Sequence, residues 1–203
     1  LLEFFVREPH AHVRVDCDNP AAICAPVEST VLAAGTAAND TVIMVKGHHT
    51  TLSDLIGEPA AAYHGGEYLG LYLSPADCHR IYAPCDGRIV RTWRLGCTLY
   101  PVFPAALARR PSTPVRNQRC VIELAHSRGS LLLIAIGALN VGRIVMPAAD
   151  MSAAVIRGEE LGRFEFGSMV VMVCAHGVAR LLPEIAPGQR MRIGDPLALW
   201  NHS

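Results

Sequence analysis

Phe164-Glu165-Phe166-Gly167-Ser168-Met169-Val170-Val171-Met172-Val173 is the stretch whose reading decides the fold. A glycine-serine step closes the charged run Arg157-Gly158-Glu159-Glu160-Leu161-Gly162-Arg163 and opens onto apolar residues from Met169 to Val173. That run is too short for a core helix and is rich in valine, so it predicts a turn leading into a buried strand. The same short apolar or alternating pattern, bounded by Gly, Pro, Asn or Asp, recurs at residues 41–45, 68–73, 88–90, 120–124, 130–136 and 142–145. Helical periodicity is weaker and is confined to residues 51–56 and 101–109, where Pro111 ends the second segment. A compact, mainly β antiparallel sandwich with a few short helices is expected, built as one domain over residues 1–203. Residues 109–113, with two prolines nearby, are expected to form its most mobile loop.

Composition narrows the function. Eighteen basic residues balance eighteen acidic ones, so no nucleic-acid partner is expected, and an anionic membrane would have to be met by a local basic patch. Arg88, Arg91 and Arg94, or Arg109 and Arg110, are the candidates, each with a solvated face as the alternative. The seven cysteines are odd in number and form no Cys-x-x-Cys pair, which points to reduced thiols in a cytosolic compartment rather than to a disulfide framework or zinc. His10 and His12 lack a third ligand at useful spacing, so no metal is expected. No apolar run approaches the ~20 residues of a spanning helix, and no signal-peptide layout is present. Leu1 is not a methionine, so a natural N-terminus upstream is expected.

Gly167-Ser168 has a second reading besides a turn. A serine hydroxyl that attacks the preceding carbonyl makes an ester, and β-elimination then leaves dehydroalanine, which hydrolyses to a pyruvoyl group and ammonia. Glycine permits the close approach and strained turn that this needs. Gly-Ser alone does not separate the two readings.

The wider sequence does. Tyr72-Leu73-Ser74-Pro75-Ala76-Asp77-Cys78-His79-Arg80-Ile81-Tyr82-Ala83-Pro84 resembles the Tyr-Leu-Ser-Pro-x-Asp-Tyr-His-Arg-x-His-x-Pro signature of phosphatidylserine decarboxylases. Phe4-Phe5-Val6-Arg7, Pro26-Val27-Glu28-Ser29, Lys46-Gly47-His48, Arg116-Asn117-Gln118-Arg119 and Gly137-Ala138-Leu139-Asn140-Val141-Gly142 look like further segments of that family, in its order. The resemblance covers nearly the whole chain. It implies a duplicated barrel-sandwich-hybrid fold, self-cleavage between Gly167 and Ser168 into residues 1–167 and 168–203, and a pyruvoyl cofactor derived from Ser168. Phosphatidylserine would be decarboxylated to phosphatidylethanolamine by a homodimer at the cytoplasmic face of a membrane. His79 matches the histidine that assists decarboxylation in the family, and an imidazole suits that work because both protonation states are accessible near neutrality.

The family's maturation triad is altered at two positions. That self-cleaving Asp-His-Ser triad maps onto Glu28, Tyr82 and Ser168. Glu28 keeps the carboxylate but adds a methylene. Tyr82 replaces an imidazole with a phenol of pKa about 10, a poor base at neutral pH. Ser29 stands for a glycine and Met169 for a threonine. His48, His49, or a tyrosinate at Tyr82 beside Arg80, could supply the missing base. Two alternatives to the lipid decarboxylase therefore stand beside it, a pyruvoyl decarboxylase of a small amino acid and a non-processing relative that binds or scaffolds. Lys46, the sole lysine, reads as structural rather than as a cofactor anchor.

Overall fold

The structure is a computed structural model that describes residues 19–38, 41–45, 48–57, 60–139, 144–145, 154–164 and 168–201. Expectations that concern His10, His12, Cys17, Lys46, Gly142 and Gly167 lie outside the described residues, and His48 and His49 are described by their backbone alone.

The strands are β1 (Ala22–Cys24), β2 (Ser29–Thr36), β3 (Thr41–Val45), β4 (His48–Thr51), β5 (Glu67–Leu73), β6 (Arg80–Tyr82), β7 (Gly87–Leu95), β8 (Arg119–His126), β9 (Gly129–Ile136), β10 (Ile144–Val145), β11 (Ala154–Val155), β12 (Glu160–Phe164), β13 (Ser168–Cys174), β14 (Ala179–Leu181), β15 (Arg190–Met191) and β16 (Pro196–Trp200). Helices α1 (Leu52–Ile56), α2 (Pro104–Arg109) and α3 (Thr113–Arg116), and a 3-10 turn at Ala60–Tyr63, complete the order. The fold is mainly β and antiparallel with a few short helices, as its short apolar runs predict.

Eight strands form the main sheet in the order β11-β7-β8-β9-β13-β5-β2-β15. Three smaller sheets, β1-β16-β14, β10-β12-β6 and β3-β4, accompany it. β13 lies inside the main sheet, with Val171 opposite Gly70 of β5 on one side and Ile134 of β9 on the other. Every residue of β13 is buried. Alternate side chains of a strand leave on opposite faces, and this sheet has a core on each. Val170, Met172 and Cys174 join Leu71, Leu133, Ile81 and Phe164 in one cluster, whereas Met169, Val171 and Val173 join Ile134, Tyr63 and Leu52 in the other. A strand covered on both faces reads as an unbroken apolar run rather than an alternating one.

α1 shows how a short helix survives here. Thr51 caps its start by accepting the Asp54 N–H at 2.9 Å. Its last carbonyls would otherwise be orphaned. Buried Arg119 reaches Leu55 O at 2.5 Å and Asp54 O at 2.9 Å, while the Trp93 indole N–H reaches Ile56 O at 2.8 Å. Arg119 also bonds Val115 O at 2.6 Å, so the Arg116-Asn117-Gln118-Arg119 segment ties α1 to α3.

Three sequence expectations change in detail. The strand expected over 88–90 runs on to Leu95, with a bulge between Ile89 and Arg91. Arg91 there lies 3.4 Å from Glu123 and 4.3 Å over the Trp93 ring, while Arg94 donates to Ile144 O on the other face of the sheet. Arg88, Arg91 and Arg94 therefore form no common patch. α2 starts at Pro104 rather than at 101, because Phe103 precedes a proline and takes the extended conformation (φ −66°, ψ 152°). Residues 110–112 close a tight turn between α2 and α3, held by the Thr113 N–H on Arg110 O at 3.1 Å.

Leu71, fully buried on β5 between β2 and β13, tests the core. Leu71→Ala should cost about 2–5 kcal/mol in urea unfolding, whereas Ile156→Ala, at a site 69% exposed, should change stability by less than about 0.5 kcal/mol.

Candidate active site

Ser168 is the first residue of β13 and is fully buried, opposite Leu73 at the end of β5. It continues the alternation of Val170 and Met172, so its hydroxyl enters the same layer as Ile81 and Phe164. Its Oγ has no hydrogen-bond partner among the described residues. A buried hydroxyl left unsatisfied costs roughly 1–3 kcal/mol, and such a group in a native fold calls for a chemical explanation.

His79 stands close by for a topological reason. Its carbonyl accepts the Phe164 N–H at 2.8 Å, so residues 73–79 and 164–168 leave from two paired points, Leu73 with Ser168 and His79 with Phe164. The ring is fully buried, and its Nδ1 lies 2.8 Å from Asp77 O. A carbonyl oxygen can only accept, so Nδ1 carries the proton and Nε2 is the basic nitrogen of the neutral ring.

The turn that carries His79 rests on a charge pair that sequence reading missed. Asp77, 2% exposed, accepts the Ser74 N–H at 2.6 Å, and the Asp77 N–H returns to Ser74 O at 3.0 Å. Its carboxylate is also gripped at both oxygens by Arg190, at 2.5 Å and 3.1 Å. Burial pushes the Asp77 carboxyl up, but the Arg190 and Ser74 hydrogen bonds outweigh it and hold the group below the usual carboxylate range. The Ser-Pro-x-Asp spacing is a local signal for that turn. Arg190 has no local signal, because it arrives through β15, which pairs with Ser29 and Thr30 of β2.

Glu28 is placed beside this turn. Its Oε2 accepts the Cys78 N–H at 2.8 Å, and its Oε1 lies 3.8 Å from Arg190. The carboxylate therefore grips the backbone immediately before His79. Buried Ser29 donates to Val27 O at 3.4 Å.

Tyr82 belongs to β6, where its N–H bonds Pro26 O at 2.8 Å and its Cα pairs with Glu160. Alternation sends it to the side of Arg80, away from Ile81. Arg80 lies above the ordinary arginine range because of its hydrogen bond to Glu160. The structure thus brings Ser168, His79 and Glu28 to one end of the sheet and places Tyr82 with Arg80. No hydrogen bond joins Ser168 Oγ to His79, Glu28 or Tyr82 among the described residues.

No disulfide joins the described cysteines, five of which are buried, and burial pushes Cys85 and Cys174 up to about 12, too high for a nucleophile at neutral pH. Among the described residues no group of three or more His, Cys, Asp and Glu side chains comes together to hold a metal, and no helix is long and apolar enough to cross a membrane.

A family model described as phosphatidylserine decarboxylase matches residues 1–199. Among curated proteins, the chain is 33% identical over 219 residues to the phosphatidylserine decarboxylase proenzyme of Polaromonas sp. JS666, an alignment covering 97% of this chain and 76% of that protein. It is 34% identical over 198 residues to the proenzyme of Methylibium petroleiphilum (88% and 70% covered) and 32% identical over 215 residues to that of Anaeromyxobacter sp. K (96% and 76% covered).

The Asp77 pair has a pH signature. A carboxyl depressed in the fold contributes stability that is present above its unfolded pKa of about 3.9 and is lost as pH falls through the lower folded value. Unfolding free energy measured in urea should therefore drop below about pH 4, and the drop should be shallower in Asp77→Asn. Arg190→Gln should cost on the order of 2 kcal/mol at pH 7, less than a fully buried pair because the guanidinium is half exposed.

Proposed function

The chain belongs to the phosphatidylserine decarboxylase family, and we propose on that premise that it decarboxylates phosphatidylserine to phosphatidylethanolamine, using a pyruvoyl group that it makes from Ser168. The observation that carries this reading is the buried, unsatisfied Ser168 hydroxyl at the head of β13, on the turn side of which stands His79. A structural serine at that place would be expected to find a partner. Gly167 lies outside the described residues, so the cut itself is inferred from the order Gly167-Ser168 in the chain.

Maturation requires only groups of this chain. Ser168 Oγ attacks the Gly167 carbonyl carbon and gives its proton to a base, the Gly167–Ser168 C–N bond breaks, and the released nitrogen takes a proton, leaving an ester. Loss of the Ser168 α-proton then expels the Gly167 carboxylate from Cβ. The resulting dehydroalanine adds water and loses ammonia. Residues 1–167 and 168–203 become separate chains of one molecule. By sequence position alone, Tyr82 and Glu28 correspond to the base and the orienting carboxylate of the family's triad. A phenol is a weaker base at neutral pH than the imidazole it replaces, so maturation should be slow.

Once formed, the pyruvoyl ketone supplies an electron sink for the pair released as the substrate carboxylate leaves as carbon dioxide. His79 handles the proton: with Nδ1 fixed on Asp77 O, Nε2 is the atom that takes and returns it. Asp77, Glu28 and Arg190 keep that ring in place by immobilising the turn on both sides of Cys78. A cytoplasmic location with peripheral membrane contact fits a lipid substrate, and the homodimer rests on the family resemblance alone.

Denaturing electrophoresis should show the wild type split in two and Ser168→Ala whole, and intact mass should show residues 168–203 of the wild type lighter by the exchange of serine for a pyruvoyl terminus. Cleavage of Ser168→Ala at the wild-type site would sink the assignment. His79→Ala should still mature but lose about 10²–10⁴-fold in carbon dioxide release from phosphatidylserine vesicles. Tyr82→His with Glu28→Asp should shorten the maturation half-time by at least tenfold in a pulse-chase. An unchanged half-time would place the base elsewhere.

A further inference from the structure

The chemistry above does not use the segment from Tyr100 to Arg116, which encloses two adjoining cavities of about 420 Å³ and 460 Å³. Both are lined by Tyr100, Arg109 and Arg110. The first adds Ser112 and Arg116 and is cationic, whereas the second adds Pro101, Phe103 and Ala106 and is apolar. We propose that the two cavities form one seat for an anionic phospholipid of the bilayer, with its phosphate among Arg109, Arg110 and Arg116 and an acyl chain along Phe103 and Pro101. The proposal rests on the reading that this chain works on a membrane lipid, and it names the surface that meets the membrane.

Charge complementarity chooses the occupant. Arg109, Arg110 and Arg116 share one cavity wall, and among the described residues none of them has a carboxylate partner. In a chain with equal numbers of acidic and basic residues, three unneutralised guanidiniums on one wall repel each other until an anion arrives. Guanidinium suits phosphate in particular, because its planar fork can donate two hydrogen bonds at once. Arg110 is already oriented, its Cζ lying 5.0 Å from the centre of the Tyr100 ring.

The apolar half excludes a free phosphate as the whole ligand. Phe103 is 48% exposed, one of four large hydrophobic side chains in that state among the described residues, and another is Leu139 at 53%. Asn117 links their two segments. Buried Asn117 bonds Tyr100 N at 2.9 Å and Tyr100 O at 2.7 Å, and it donates to Gly137 O at 2.8 Å, two residues before Leu139. Gly137 follows Ile136, which pairs with Met169, the neighbour of Ser168. One side chain thus ties the cavity wall to the end of the sheet where Ser168 stands. A bilayer held by this seat would lie at the mouth of the site.

Flotation with vesicles tests the proposal without requiring maturation, because it can be run on the uncut Ser168→Ala protein. That protein should float with vesicles of phosphatidylserine and phosphatidylcholine and much less with phosphatidylcholine alone. In that background, R109Q/R110Q/R116Q should weaken the partition by roughly 100-fold at low salt, taking about 1 kcal/mol for each basic residue at an anionic surface. Phe103→Ser should weaken it by about tenfold, and R88Q/R180Q, removing two exposed charges elsewhere, should leave it within about twofold. Unfolding midpoints measured alongside show that the variants are folded, and Phe103→Ser keeps the test alive if the triple variant is not. Equal flotation of the triple variant, or equal loss with R88Q/R180Q, overturns the seat. Wild-type protein that neither matures nor releases carbon dioxide would sink the proposed function while leaving this measurement intact, and a working decarboxylase whose triple variant floats normally would sink the seat alone.

Discussion

β13 is bonded to a neighbour along both edges and covered by a core on both faces, so no part of it has access to water. In such a place every polar atom must find a partner within the protein. The backbone does so through β5 and β9, and the apolar side chains from Met169 to Val173 have nothing to satisfy. Ser168 alone brings a hydroxyl with no partner among the described residues. The two cores follow from the apolar residues of that strand, the turn that bears His79 from its pairing with β5, and the chemistry proposed for the Gly167-Ser168 step from the serine at its head.

The strands were legible where burial writes itself into composition. Residues 68–73, 120–124, 130–136 and 169–173 became β5, β8, β9 and β13 with small changes at their ends, and α1 began at the cap that Thr51 supplies. The extension of β7 to Leu95 was hidden, because its outer half mixes Arg91, Trp93 and Arg94, whose places depend on Glu123 and on a bulge that local pattern does not reveal. Sheet order was hidden for a related reason. Partners such as Arg190 with Thr30 lie far apart in the chain, and an apolar run does not name the run beside which it will lie.

The site divides in the same way. Ser168 and His79 are legible because each sits in a contiguous signature, and the pairing of Leu73 with Ser168 and of His79 with Phe164 brings them to one place. Glu28 was found by position, yet its contact with the Cys78 N–H makes it a clamp on the turn as well as a candidate orienter of a base. Asp77 lies inside the signature with nothing local to mark its partner, and Arg190 lies in no signature at all. Their pairing is a tertiary fact: one half comes from a turn between β5 and β6, the other from the β15 edge.

Residues 168–203 contribute β13 between β5 and β9, β15 beside β2, and both β14 and β16 to the sheet that β1 completes, so they are threaded through two sheets that also contain earlier residues. A cut before Ser168 would therefore divide the chain without dividing the molecule. It would nevertheless change what holds the molecule together over time. Before the cut, reassembly after a chance opening is unimolecular. Afterwards it depends on two chains meeting again, at a rate that falls with dilution. At high dilution the uncut chain would refold more readily than the cut one, and the lifetime of a cut protein would then be set by its unfolding barrier rather than by an equilibrium.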